Sequence, residues 1–119
     1  MQFTVDDPRW QEYCPPGANG PLIWFVVRGE IMEIRMTTNL MEDHVRAAET
    51  LGARFFVRRY KLGIGLGDGW GVFDSKNIDP NNDYTPTLMQ DGKKARPIRV
   101  FDSPGMDGPV MWAIAKGSM

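Results

Sequence analysis

One segment of this chain carries its clearest helical period, and strand-like sequence brackets it on both sides. In "TTNLMEDHVRAAETLG", residues 37 to 52, the side chains Leu40, Met41, His44, Val45, Ala48 and Leu51 recur on one face, with Glu42, Arg46 and Glu49 opposite. Asn39 followed three residues on by Glu42 predicts a capping box, and Gly52 is the residue type that closes a helix in the left-handed conformation. The helix is therefore expected over 40–51. Before it, "LIWFVVR" and "EIMEIRM" are β-branched, aromatic or alternating, and they meet at Arg28, Gly29 and Glu30. After it, "ARFFVRRYKL" and "GWGVFDS" read as a second antiparallel pair. A lone amphipathic helix set among strands must bury its stripe on their sheet. The fold class is then α+β: a single small domain with a mostly antiparallel sheet of about six strands and one main helix packed on one face.

A chain of 119 residues accommodates one core. Residues 1–21 hold Pro8, Pro15, Pro16 and Pro21 and read as an irregular N-terminal arm, so the domain is expected over 22–117. Residues 77–95 form a long polar excursion containing Pro80 and Pro86. The last segments, "RPIRVFDS" and "PVMWAIAK", flank "PGMDG" and read as a terminal hairpin bringing Ile98 and Val100 against Val110, Trp112 and Ile114. Pro109 equally suits the first turn of a helix, so 110–116 is open to either form.

The strand-like "ARFFVRRYKL" alternates Phe56, Arg58, Tyr60 and Leu62 with Phe55, Val57, Arg59 and Lys61. Both faces mix apolar and basic residues, which suggests a sheet edge or a binding surface. The stretch that follows, "KLGIGLGDGWGVFD", spaces Gly63, Gly65, Gly67, Gly69 and Gly71 at every second position. A dinucleotide fingerprint needs a different glycine spacing and a helix after it, and a P-loop needs Gly-Lys-Ser or Gly-Lys-Thr, so no nucleotide cofactor is expected here. "DGWGVF" resembles the RNP1 signature of RNA-recognition motifs, with "IWFVV" as the RNP2-like strand. That resemblance implies rings on an open sheet, with Arg54, Arg58, Arg59 and Lys61, and beyond them Lys93, Lys94, Arg96 and Arg99, supplying positive charge. Asp68 at the basic first position and Val72 at an aromatic one depart from the signature. The competing reading is a hairpin turn with Trp70 packed in the core.

Other chemistry is sparse. His44 is the only histidine and lies on the apolar helix face, so no zinc pair exists, and Cys14 alone cannot complete a metal site. Asp79, Asn81 and Asp83 match the first ligand spacings of an EF-hand loop, but Tyr84 and Gln90 occupy its glycine and glutamate positions. Asp74, Asp102 and Asp107 are the carboxylates from which a small hydrolase would have to draw its acid and base. With 14 basic and 15 acidic residues, no overall field favours nucleic acid or an anionic membrane. One cysteine excludes an intrachain disulfide; with no secretory signal in "MQFTVDDPRW" and no span of membrane length, a cytoplasmic location is expected.

Four tryptophans and eight methionines are many for such a domain and suit a contact surface. The expectation is a small non-enzymatic interaction protein, an adaptor or inhibitor of a larger cellular machine of the sort that bacteriophages and mobile elements encode. It would bind a protein partner through Trp24, Arg54, Arg58, Arg59, Tyr60, Lys61, Trp70 and Trp112. Nucleic-acid binding through 54–62 and Trp70 is the alternative, a hydrolase built on the aspartates is a further one, and edge or arm contacts would suit a homodimer.

Overall fold

The computed structural model describes residues 19–63, 65–76, 87–88, 94–95, 97–102 and 105–117. Residues 1–18 of the arm, with Cys14, the EF-hand-like 79–85, and Lys93 and Arg96 lie outside them. The chain runs β1 (Leu22–Val27), β2 (Glu30–Arg35), α1 (Met41–Leu51), β3 (Phe55–Gly63), β4 (Gly67–Asp74), β5 (Thr87–Leu88), β6 (Lys94–Ala95), β7 (Arg99–Asp102) and α2 (Asp107–Gly117). The fold is α+β: five strands form an antiparallel sheet in the order β2-β1-β3-β4-β7, and β5 and β6 pair as a separate ribbon.

Each hairpin follows from its turn residues. Val27 pairs with Glu30, so Arg28 and Gly29 form a two-residue turn with φ of 52° and 79°. Positive φ at both positions gives the turn the twist of the strands it joins. The β3–β4 hairpin turns through Gly65 and Gly67, at φ 79° and 76°, which settles the glycine stretch as a turn leading into a strand. Gly69 and Gly71 serve a different purpose. A Cβ on Gly69 would strike the carbonyl oxygen of Phe101 on β7 and come within 2.9 Å of Leu62, and one on Gly71 would lie 3.0 Å from the Phe73 ring. Gly69→Ala should therefore push β7 off the sheet and cost about 2 kcal/mol in urea unfolding. Gly65→Ala meets open space and should lose only the left-handed backbone penalty of about 1 kcal/mol. Equal losses would show that β7 is not held through this close approach.

Strand alternation sends two sets of side chains to opposite faces, and each face has a helix. On one, Ile23, Phe25, Val27, Ile34, Met36, Phe56 and Phe73 pack with Met41, Val45, Ala48 and Leu51 of α1. The Phe56 and Phe73 rings stack at 5.5 Å, with Phe25 5.9 Å from Phe56. Burying each such ring stabilises by roughly 2 to 3 kcal/mol. On the other face Val26, Phe55, Val57, Trp70 and Val72 pack with Ala113 of α2.

Three expectations are corrected. Residues 107–117 are helical, so the terminal hairpin does not form: the Val110 N–H donates to the Met106 carbonyl at 3.0 Å, and Pro109, in the first turn, lacks only a donor that a helix start leaves unpaired. Strand β3 is central rather than marginal, because both its faces are covered and Arg58 finds partners inside. Helix α1 has no capping box. Leu40 takes the cap position in extended backbone without a side-chain bond, while the Asn39 amide is engaged by Arg58. The Gly52 end forms as expected, at φ 74°, with its N–H directed to the Ala48 and Glu49 carbonyls.

Candidate functional site

The basic residues of β3 separate by parity. Arg58 points to the α1 side and is 6% exposed. Its Nη1 donates to the Asn39 carbonyl at 3.2 Å and to His44 Nδ1 at 3.0 Å, Nη2 donates to Asn39 Oδ1 at 3.0 Å, and Nε faces the Arg59 carbonyl at 3.4 Å. Since a guanidinium only donates, His44 Nδ1 must accept, and Nε2–H then donates to the Thr38 carbonyl at 2.8 Å. Burial, with Arg58 close by, lowers the His44 pKa to about 4, although the bond to Thr38 works in the opposite sense. Burial also lowers Arg58 to about 10, which leaves it charged at neutral pH. This cluster is a clip between the α1 entry and the middle of β3. Its nitrogen atoms are committed to internal bonds, so it offers no free base or nucleophile. Tyr60 lies on the same side, its ring edge-on to Phe73 at 6.2 Å.

The α2 side is organised differently. Arg59 stands opposite Trp70 in the sheet, and Trp70 stands opposite Phe101. The Arg59 guanidinium carbon lies 4.2 Å from the Trp70 ring centre, and Trp24 meets Trp70 edge-to-face at 5.3 Å. Arg99 lies over Phe101 at 5.3 Å, and Lys116 over Trp112 at 5.6 Å, one helical turn away. Trp112 in turn approaches Phe55 at 6.5 Å. Trp24, Phe101, Met106 and Trp112 are half-buried around this group, while Arg59, Lys61, Arg99 and Lys116 are exposed. Among the described residues none of these four cations has a carboxylate partner. Lys61 does stand opposite Asp68 in the register, and Glu33 beside Trp24.

Trp70 is 8% exposed, and its indole Nε1–H is buried without an acceptor among the described residues. Buried donors are nearly always paired, and a missing acceptor costs roughly 1 to 3 kcal/mol.

Five of the eight expected binding residues thus meet on the α2 side: Trp24, Arg59, Lys61, Trp70 and Trp112. Arg54 sits at the start of β3, held by Asp74 at 3.2 Å and lying over Phe55 at 5.1 Å. Arg58 and Tyr60 belong to the opposite face. The basic strand therefore presents no continuous positive face, and α2 covers the sheet that an RNP-like reading needs open. Sequence reading missed the Trp112–Lys116 pair, whose spacing of four has meaning only on a helix.

Asp74 and Asp102 do not converge. Asp74, opposite Phe55, is buried, accepting from Arg54 and from the Lys76 N–H at 2.9 Å. Asp102, opposite Gly69, falls on the other face of the sheet, and Asp107 opens α2. Among the described residues no three His, Cys, Asp or Glu side chains gather as a metal site, and no helix is long and apolar enough to cross a membrane. No family model matches the sequence, and no curated protein or solved structure is similar enough to count as a match.

Proposed function

We propose that this chain is a small non-enzymatic interaction protein, an adaptor or inhibitor, and that its α2 side docks a protein partner. One observation carries the reading: half-buried rings at Phe101, Trp112 and Trp24, together with buried Trp70, lie under or beside exposed cations that have no carboxylate partner among the described residues. Aromatic rings flanked by arginine are the side chains that dominate binding energy at protein interfaces. Met111, 65% exposed on α2, extends the surface. On the opposite side, α1 carries Glu42, Asp43 and Glu49, with Arg46 paired to Glu42.

A photocrosslinking residue placed at Met111 should capture one protein species from a lysate of the encoding organism, and the same residue at Glu49 should not. The captured species should be lost with Trp112→Ala. Capture at Glu49 alone would move the interface to the α1 side and end the proposal.

A nucleic-acid partner is the second reading, favoured by the guanidinium over the Trp70 ring. It requires an affinity that falls steeply with salt and drops on Arg59→Glu. Arg58→Glu is no probe of it, because that side chain is internal.

A further inference from the structure

We infer that the corner formed by Trp24, Trp70 and Arg59 is a receptor for a carboxylate carried by an acidic segment of the partner protein. The inference rests on the partner-binding reading and narrows it to one site and one chemistry. Three observations converge. The Trp70 Nε1–H is buried and has no acceptor among the described residues. One face of the ring carries the exposed Arg59 side chain, whose guanidinium has no carboxylate partner among the described residues. Lys61 on the same strand, Arg99 on β7 and Lys116 on α2 add positive charge to the same side.

An incoming carboxylate can satisfy both unsatisfied groups. One oxygen accepts from the guanidinium as a charge-assisted bond, and the other accepts from the indole N–H, which points out in the plane of the ring, once the side chains enclosing that edge part. The free protein carries an unpaired buried donor beside an exposed cation, and the complex pairs both. Trp24, edge-on to Trp70, fixes the indole orientation so that little ordering is needed on binding. A phosphodiester meets the same two donors, but Glu33 beside Trp24 and Asp68 opposite Lys61 would repel a continuous polyanion, whereas a short acidic segment can present one carboxylate between them.

The indole region of a 15N–1H spectrum tests this with the folded intact chain and two probes, an N-acetylated, C-amidated Gly-Ser-Gly-Glu-Gly-Ser-Gly peptide, which carries a single carboxylate, and a twelve-nucleotide oligothymidine. Trp70→Phe assigns the Trp70 Nε1–H signal by its disappearance. The peptide should shift that signal more than those of the other three tryptophans, and Arg59→Gln, at an exposed position, should weaken the titration about tenfold. If Trp70→Phe fails to fold, Arg59→Gln still identifies the signal, because removing the guanidinium from the ring face moves that resonance most. A peptide-induced shift confined to other indoles would overturn the site while leaving a protein-binding surface intact. A shift produced by oligothymidine and not by the peptide would overturn both this inference and the protein-partner reading. No shift with either probe would overturn carboxylate capture, and the Met111 crosslink would then decide the wider proposal by itself.

Discussion

Between pH 7 and pH 4 the protein should lose about 3 kcal/mol of folding stability through His44 alone. In the unfolded chain His44 titrates at the ordinary imidazole value of 6.5, and in the fold its pKa lies at about 4, so the unfolded state binds the extra proton first. The stability linked to this residue is full above pH 6.5 and is lost as the pH falls toward 4. The physical cause is the clip. Nδ1 accepts from Arg58 and Nε2–H donates to Thr38, so a second ring proton has no acceptor and would stand against a buried guanidinium. Urea midpoints measured across this range for the wild type and for His44→Gln should diverge, the variant losing the sensitivity that belongs to this ring. Ring 15N shifts should report the Nε2–H tautomer at neutral pH and no titration near 6.5. A His44 that titrates near 6.5 in the folded protein would show that the ring is not held neutral by this cluster.

The same clip explains what the sequence could and could not disclose. Residues whose partners are near in the chain were legible: the Arg28-Gly29 turn, the α1 stripe, the Gly52 end and the β3–β4 hairpin all follow from local spacing. Asn39 was misread because its amide is drawn away by Arg58, which is 19 positions distant and invisible to a local motif. The mixed faces of β3 suggested an edge for a similar reason, since Arg58 counts as polar until its internal acceptors are known. Helix α2 was ambiguous because "PVMWAIAK" is apolar almost throughout and has no clear period of either kind. The expected binding residues divide between the two faces on the same terms. Strand parity put Arg59 and Lys61 together, but only the tertiary structure shows that α2 brings Trp112 and Lys116 to join Trp70 and Trp24.

Arg58→Met should cost about 3 kcal/mol, and adding His44→Leu should restore much of that loss. Removing the guanidinium alone strands Nδ1 of a fully buried imidazole, because the Asn39 groups lie near solvent and can bond water while the ring cannot. Replacing the ring alone deprives a buried cation of one acceptor, at about 2 kcal/mol. With both replaced, two apolar side chains of similar volume face each other beside Met41, already within 3.9 Å of the Arg58 guanidinium, and nothing charged remains in that place. The cycle should therefore give a coupling of about 2 kcal/mol or more, measured from urea midpoints at pH 7. Arg58→Met should also raise the His44 pKa, because the neighbouring positive charge is gone while burial persists. Strictly additive losses, with no recovery in the double variant, would mean that the two side chains stabilise the fold separately and that the bond between them is incidental. Recovery would show that the two side chains are coupled and that an apolar pair can hold the α1 entry against β3 without their desolvation cost.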